Sequence, residues 1–334
     1  MFPLRNHAVQ TVAAMATKAE VLIIGGGPAG LSAALSLARA RRSAIVFDSK
    51  EYRNAPTEHL HTYITWDHHH PAELRAAARK ELLEGRYNTI KLSETAVKVV
   101  TKLPDGSFKA TDAAGREWIG DKLVLATGVR DVLPDIPGFA QCWGRSIYHC
   151  MFCHGFEDTG AQSAGVLALA DLAKKEQCYA LASMAQQFAA SLTFYTDADQ
   201  QLADDIQSML KPSSDMTVET KKIDRLEPAT GGGVNVFFAD GSSAHEAFLV
   251  YQPKMEANVG MVADLCLELS PSGAEVKVTP PFNETSVPGC FAVGDVSTPM
   301  KALAIAAGSG SIAGPAVVQQ LIREGKPIAF DPKT

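Results

Sequence analysis

Glu20-Val21-Leu22-Ile23-Ile24-Gly25-Gly26-Gly27-Pro28-Ala29-Gly30-Leu31 decides the fold. An apolar strand enters a glycine-rich turn, and a helical stretch follows over about residues 31–41. Gly25, Gly27 and Gly30 fill the G-x-G-x-x-G positions. The first makes the tight turn, the second lets a pyrophosphate approach the backbone, and the third lets the helix lie close on the strand. Free N–H groups at the start of that helix face the phosphates. Beyond it a second strand, residues 43–47, ends at Asp48, at the spacing of the acid that holds an adenosine ribose. This order predicts an α/β, Rossmann-like dinucleotide-binding unit.

At 334 residues the chain is too long for one ordinary core, and 46% hydrophobic with 20% charged residues describes a globular protein of two domains. A net charge of -6 offers no basic surface to nucleic acid or to an anionic membrane. Six cysteines are too few for a secreted disulfide scaffold and fit a reducing compartment, so a cytoplasmic location is expected. Residues 1–16 carry Arg5 and no acid, as a transit peptide does, but Pro3, Asn6, His7 and Gln10 interrupt any apolar run. A disordered extension is expected there. The uncharged run 302–322 has the length of a membrane span. Gly308-Ser309-Gly310-Ser311 and Gly314-Pro315 suit hydrocarbon poorly, so the run predicts a buried helix.

The chemistry centres on His149-Cys150-Met151-Phe152-Cys153-His154-Gly155. A C-x-x-C pair in a chain with a dinucleotide fingerprint reads as a redox dithiol. A structural zinc site would need a second close pair, and Cys142, Cys178, Cys266 and Cys290 stand alone. His154 is the candidate acid/base, because an imidazole both deprotonates an entering thiol and stabilises a neighbouring thiolate. His149 is a weaker candidate, and Glu157 either orients an imidazole or is a surface acid. Met151 and Phe152 hint at a small, partly hydrophobic dithiol. His68-His69-His70, with His59 and His61 nearby, precede Pro71 and a helix over about residues 72–83. Consecutive histidines rarely point at one ion, so no metal is expected.

Two later segments extend the pattern: Leu123-Val124-Leu125-Ala126-Thr127-Gly128, and Phe291-Ala292-Val293-Gly294-Asp295 before the Ala-rich helix. Both resemble segments of two-dinucleotide-domain flavoprotein disulfide reductases, which implies FAD. A helix N-terminus there stabilises the negative charge that reduction places near the flavin N1 and O2. With the C-x-x-C, the chain resembles the low-molecular-weight thioredoxin reductase family from about residue 19 to 330. The resemblance implies an FAD domain split over residues 17–137 and 253–334. It also implies a second three-layer dinucleotide fold, residues 138–252, inserted with the redox cysteines near its start. A homodimer and FAD contacts are implied as well, the latter from Gly25, Gly27, Pro28, Ala29, Gly30, Asp48, Arg53, Asn54, His61, Val97, Ala126, Thr127, Gly128, Asp295, Lys301 and Ala302.

The departures from that family bear on function. Where an NADPH-binding turn belongs, residues 165–173 contain no glycine after Gly165. The strand at 191–195 is followed by Thr196-Asp197-Ala198-Asp199, an acidic pair expected to repel a 2'-phosphate. Gly231-Gly232-Gly233 precedes a strand at 234–238 and reads as a loop. C-x-x-C-H-G-[aromatic]-E, here Cys150 to Glu157, together with Tyr52-Arg53-Asn54, is similar to the fungal dithiol oxidases of the gliotoxin-oxidase type. That resemblance implies closure of a disulfide in a small secondary-metabolite dithiol, with O2 as acceptor and H2O2 as product. It places Cys153 against the flavin and Cys150 toward the substrate. Two alternatives stay open: a reductase of a protein dithiol driven by a donor other than NADPH, and a flavin-binding scaffold with a structural disulfide.

Overall fold

The computed structural model describes residues 16–169, 174–212 and 214–326. Residues 1–15 of the expected extension, residues 170–173 of the altered turn and the last residues of the chain lie outside that description. In chain order the first unit runs β1 (Thr17–Ile24), α1 (Pro28–Arg39), β2 (Ala44–Phe47), α2 (Pro71–Leu83), β3 (Ile90–Ser93), β4 (Val97–Lys102), β5 (Phe108–Asp112) and β6 (Glu117–Leu125). After β7 (Val129–Val132) come α3 (Phe139–Cys142), β8 (Ile147–Tyr148), α4 (Met151–His154), β9 (Ala161–Leu167), α5 (Lys175–Ala185), β10 (Ala189–Tyr195), α6 (Gln200–Gln207) and β11 (Met216–Glu219). The hairpins β12 (Ile223–Pro228), β13 (Val234–Phe238) and β14 (Ser243–Glu246) follow, then β15 (Leu249–Val250), β16 (Lys254–Ala257), β17 (Cys290–Ala292) and α7 (Leu303–Arg323).

The first sheet has the order β3-β2-β1-β6-β5-β4, and β17 joins the C-terminal half of β6. The stretches 21–24, 44–47 and 123–125 of its central strands are apolar at every position because both faces are covered there, and alternate side chains go to different layers. Val21, Ile23, Val46, Val124 and Phe291 pack under α1 and α7, whereas Leu22, Ile24, Ile45, Phe47 and Leu123 meet the other layer, with Val100, Phe108 and Val262. The expected buried helix is α7, and it packs on α1 through small residues: a Cβ at Gly310 would lie 2.0 Å from the Ala29 carbonyl oxygen. No helix among the described residues is long and apolar enough to cross a membrane.

β7 and β16 pair antiparallel, Val129 opposite Ala257, so the chain leaves the first unit and returns to it along one two-stranded ribbon. Between them lies a second sheet, β11-β10-β9-β15-β8, all parallel. Gly231, Gly232 and Gly233 form the loop between β12 and β13, each with positive φ, as the sequence indicates.

Candidate functional site

Cys150 and Cys153 form a disulfide at the start of α4, with Cα atoms 5.2 Å apart. Burial fixes this short helix: Met151 is 3% exposed and lies under Gly155, while Phe152 and Phe156 are 76% and 78% exposed. Met151 is therefore a core residue, and the apolar surface beside the disulfide comes from Phe152 and Phe156. Phe156 is the aromatic position of the C-x-x-C-H-G-[aromatic]-E motif, but nothing in the pattern separates an exposed aromatic from a buried one.

Aromatic rings hold the two flanking histidines. His154 stacks on Tyr148 with ring centroids 4.8 Å apart, and His149 stacks on Trp143 at 5.7 Å. The Tyr148 hydroxyl donates to the Asp158 carboxylate, which locks the ring under His154. Burial pushes both imidazoles down to about 4; nearby His61 adds to this for His154 and Arg53 for His149, while Glu157 and Asp131 respectively oppose it. Both rings are thus neutral near pH 7. A neutral imidazole next to Cys153 is free to take the proton of an entering thiol, and a thiolate formed there would pull its pKa back up.

The same shifts predict an acid-labile fold. Unfolded histidines titrate near 6.5, so between there and about 4 the unfolded chain binds more protons than the native one. Stability is full above pH 6.5 and falls as the pH drops toward 4. Melting temperatures measured from pH 7.5 to 4.5 should decline with a slope that His149→Gln and His154→Gln each reduce; equal slopes in all three proteins would contradict the assigned burial.

Part of the expected cofactor set meets at the first glycine turn. Gly25 has φ +120°, and a Cβ there would lie 2.2 Å from the Ala126 carbonyl oxygen. At Gly26 a Cβ would lie 2.2 Å from the Asp48 carboxylate, and at Gly30 one would lie 2.0 Å from the Gly25 carbonyl oxygen. Beside Gly27 the space is open, as a pyrophosphate requires. Pro28 and Ala29 start α1, and no side chain caps its N-terminus. The Thr127 hydroxyl is buried without a hydrogen-bond partner, between Ala126 and the left-handed Gly128. Ala302 precedes α7, whose N-terminus also lacks a side-chain cap. These features fit FAD: backbone N–H groups for the pyrophosphate, an unpaired hydroxyl for a polar edge, and a helix end for the reduced ring.

The neighbouring charges were not legible. Arg53 donates Nε to Asp131 at 3.0 Å and Nη1 to Asp295 at 3.1 Å, tying the inter-domain ribbon to the acid expected beside the flavin. Asp48 accepts from Tyr52 Oη at 2.8 Å and is paired with Arg79, a residue the motif does not include. Asn54 accepts from Arg75 at 3.2 Å. Lys301 directs its ammonium to Glu275 and to the carbonyls of Asp295 and Thr298, so it braces the loop before α7. Val97 is buried at the start of β4 in the layer under β1 and β6.

The histidine run forms the loop and helix start that the sequence indicates, and its three side chains separate. His69 meets Glu73 at 3.0 Å, and His70 caps α2 by accepting from the Ala72 N–H. His68 turns the other way, to Glu157 of the second unit, and His61 joins it. These contacts place the disulfide segment against the 53–68 loop of the first unit; a Cβ at Gly144 would likewise lie 2.8 Å from Pro56.

In the second unit, Gly165 lies inside β9, where a Cβ would lie 2.5 Å from Leu249 and 2.6 Å from Tyr195. It is a packing glycine within the strand. Asp199 caps α6, and Asp197 accepts from the Ile223 N–H and pairs with Lys222 at 2.6 Å. The acidic pair is thus built into a turn, and Asp197 is partly neutralised. Lys221 likewise faces Asp240 and Glu219. The lysines beside this turn are held by carboxylates as well.

The sequence profile of the pyridine nucleotide-disulphide oxidoreductases matches residues 19–310. Thioredoxin reductase aclD of Aspergillus oryzae is 47% identical over 314 residues, covering 94% of this chain and 98% of that protein. Thioredoxin reductase sirT of Leptosphaeria maculans is 41% identical, covering 89% and 93%. Among solved structures, an oxidoreductase from Agrobacterium tumefaciens superposes with a TM-score of 0.78 at 34% identity, covering 92% of this chain and 99% of that one. HlmI gives 0.79 at 30% identity, covering 92% and 94%.

Proposed function

The chain belongs to the pyridine nucleotide-disulphide oxidoreductase family and is a flavin-dependent disulfide oxidoreductase that binds FAD, and from that premise we propose that it oxidises a small-molecule dithiol at the expense of O2. The observation that carries this reading is Gly165. Gly165 lies inside β9 and is spent on packing against Tyr195 and Leu249, no glycine follows it through residue 173 where a nucleotide turn belongs, and the nearby lysines are paired with acids. A flavin fed by thiols and cut off from NADPH needs another acceptor, and oxygen is the simplest.

A substrate thiolate attacks the Cys150 sulfur and breaks the enzyme disulfide, releasing Cys153 as a thiolate. The second substrate thiol then attacks the mixed disulfide, closing the substrate disulfide and leaving both enzyme sulfurs reduced. Neutral His154 accepts a proton in these steps, held in place by Tyr148. When bound, FAD takes the two electrons of the dithiol and passes them to O2, giving H2O2. Phe152 and Phe156 supply an apolar surface for a substrate of the secondary-metabolite kind. A homodimer is part of the same reading.

The relatives' names support a second reading, reduction of a protein disulfide. One experiment separates them. Purified holoprotein mixed with dithiothreitol in air should generate peroxide without NADPH, and its flavin should bleach with dithiothreitol but not with NADPH. Bleaching by NADPH at comparable rates would restore the reductase.

A further inference from the structure

We infer that His61, His68 and Glu157 form a binding site for a divalent transition-metal ion of zinc-like chemistry that bridges the two units beside the redox disulfide. The three side chains come from opposite sides of the domain junction, yet one ligand atom from each lies within 4.8 Å of the others. His61 Nε2 is 3.4 Å from Glu157 Oε1, and His68 Nδ1 is 3.7 Å from the same oxygen. Metal–ligand bonds of about 2.0–2.1 Å in a tetrahedron put neighbouring ligand atoms roughly 3.4 Å apart, so the donors need only small adjustments to share an ion. Two imidazoles and a carboxylate, with a fourth position left to water, form a donor set that suits Zn2+.

The surroundings support a ligand role. Asp67 Oδ1 lies 3.5 Å from His61 Nδ1, the far side of the ring. A carboxylate on that side of the ring leaves Nε2 as the atom turned to Glu157. The His61 side chain is 10% exposed, whereas those of His68 and Glu157 are 60% and 38% exposed, which leaves an open path for an ion. His59 stacks flat on His68, with centroids 4.0 Å apart and planes 6° apart, holding that ring toward Glu157. An ion here would pin the turn that follows the disulfide to the loop of the first unit.

The test is calorimetric titration of Zn2+ alone into untagged holoprotein in its disulfide form, without thiols. One ion per chain is expected, with affinity reduced at least tenfold in His68→Ala and in Glu157→Gln and kept in Cys150→Ser/Cys153→Ser. Visible flavin spectra check that each variant is folded. Zn2+ should also raise the melting temperature of the parent protein and not that of His68→Ala. Equal affinity in His68→Ala and the parent, or loss of binding only in the double serine variant, would overturn the site.

Discussion

Cys150→Ser and Cys153→Ser should each lower dithiol-dependent peroxide formation by at least about a thousandfold, and the double variant should be no worse than either. The two sulfurs act as one acceptor: a lone thiol can neither form the disulfide that takes up two electrons nor resolve a mixed disulfide. Removing either one therefore removes the whole path, and the effects do not add. The fold should survive, because the bridge closes only the short loop between residues three apart and its loss costs about 2 kcal/mol or less by loop entropy. Flavin content and melting temperature report that survival independently of turnover. A single serine variant retaining a tenth of the parent rate would remove the disulfide from the reaction.

The first unit was readable because its signals are local and periodic. Glycines that must face Ala126, Asp48 and Gly25 sit at fixed spacing between an apolar strand and a small-residue helix, and no other residue fits there. The redox pair was readable for the same reason, its geometry being set within one turn. What stayed hidden depends on residues brought together by tertiary packing. Arg53 finds Asp131 and Asp295 at sequence separations of 78 and 242, and nothing in a single chain couples those positions. His68 looked like one of three equivalent histidines until the left-handed backbone at that residue sent it away from His69 and His70. Met151 was misjudged because a spacer in a C-x-x-C is free in composition, and only the fold makes it core and leaves Phe152 outside.

Arg53→Met should destabilise the holoprotein by about 3 kcal/mol and release much of its FAD. The guanidinium is 18% exposed and bridges Asp131 at 8% and Asp295 at 22% exposure. Burial disfavours its charge, yet hydrogen bonds and attraction to Asp131, then to Asp295, outweigh that and raise its pKa. Methionine would leave two carboxylates facing each other with no cation between them, and the cost of breaking such a pair exceeds what forming it contributes. Asp295 lies in the short turn that Lys301 braces before α7, and Asp131 lies in the ribbon between the units, so the repulsion loosens both. Arg53→Met combined with Asp131→Asn removes one stranded charge and should recover more than half of the loss, as a double-mutant cycle measures. Denaturant melts followed by flavin fluorescence would report both quantities. An Arg53→Met protein that keeps its FAD and its midpoint would mean that the three charges do not act together.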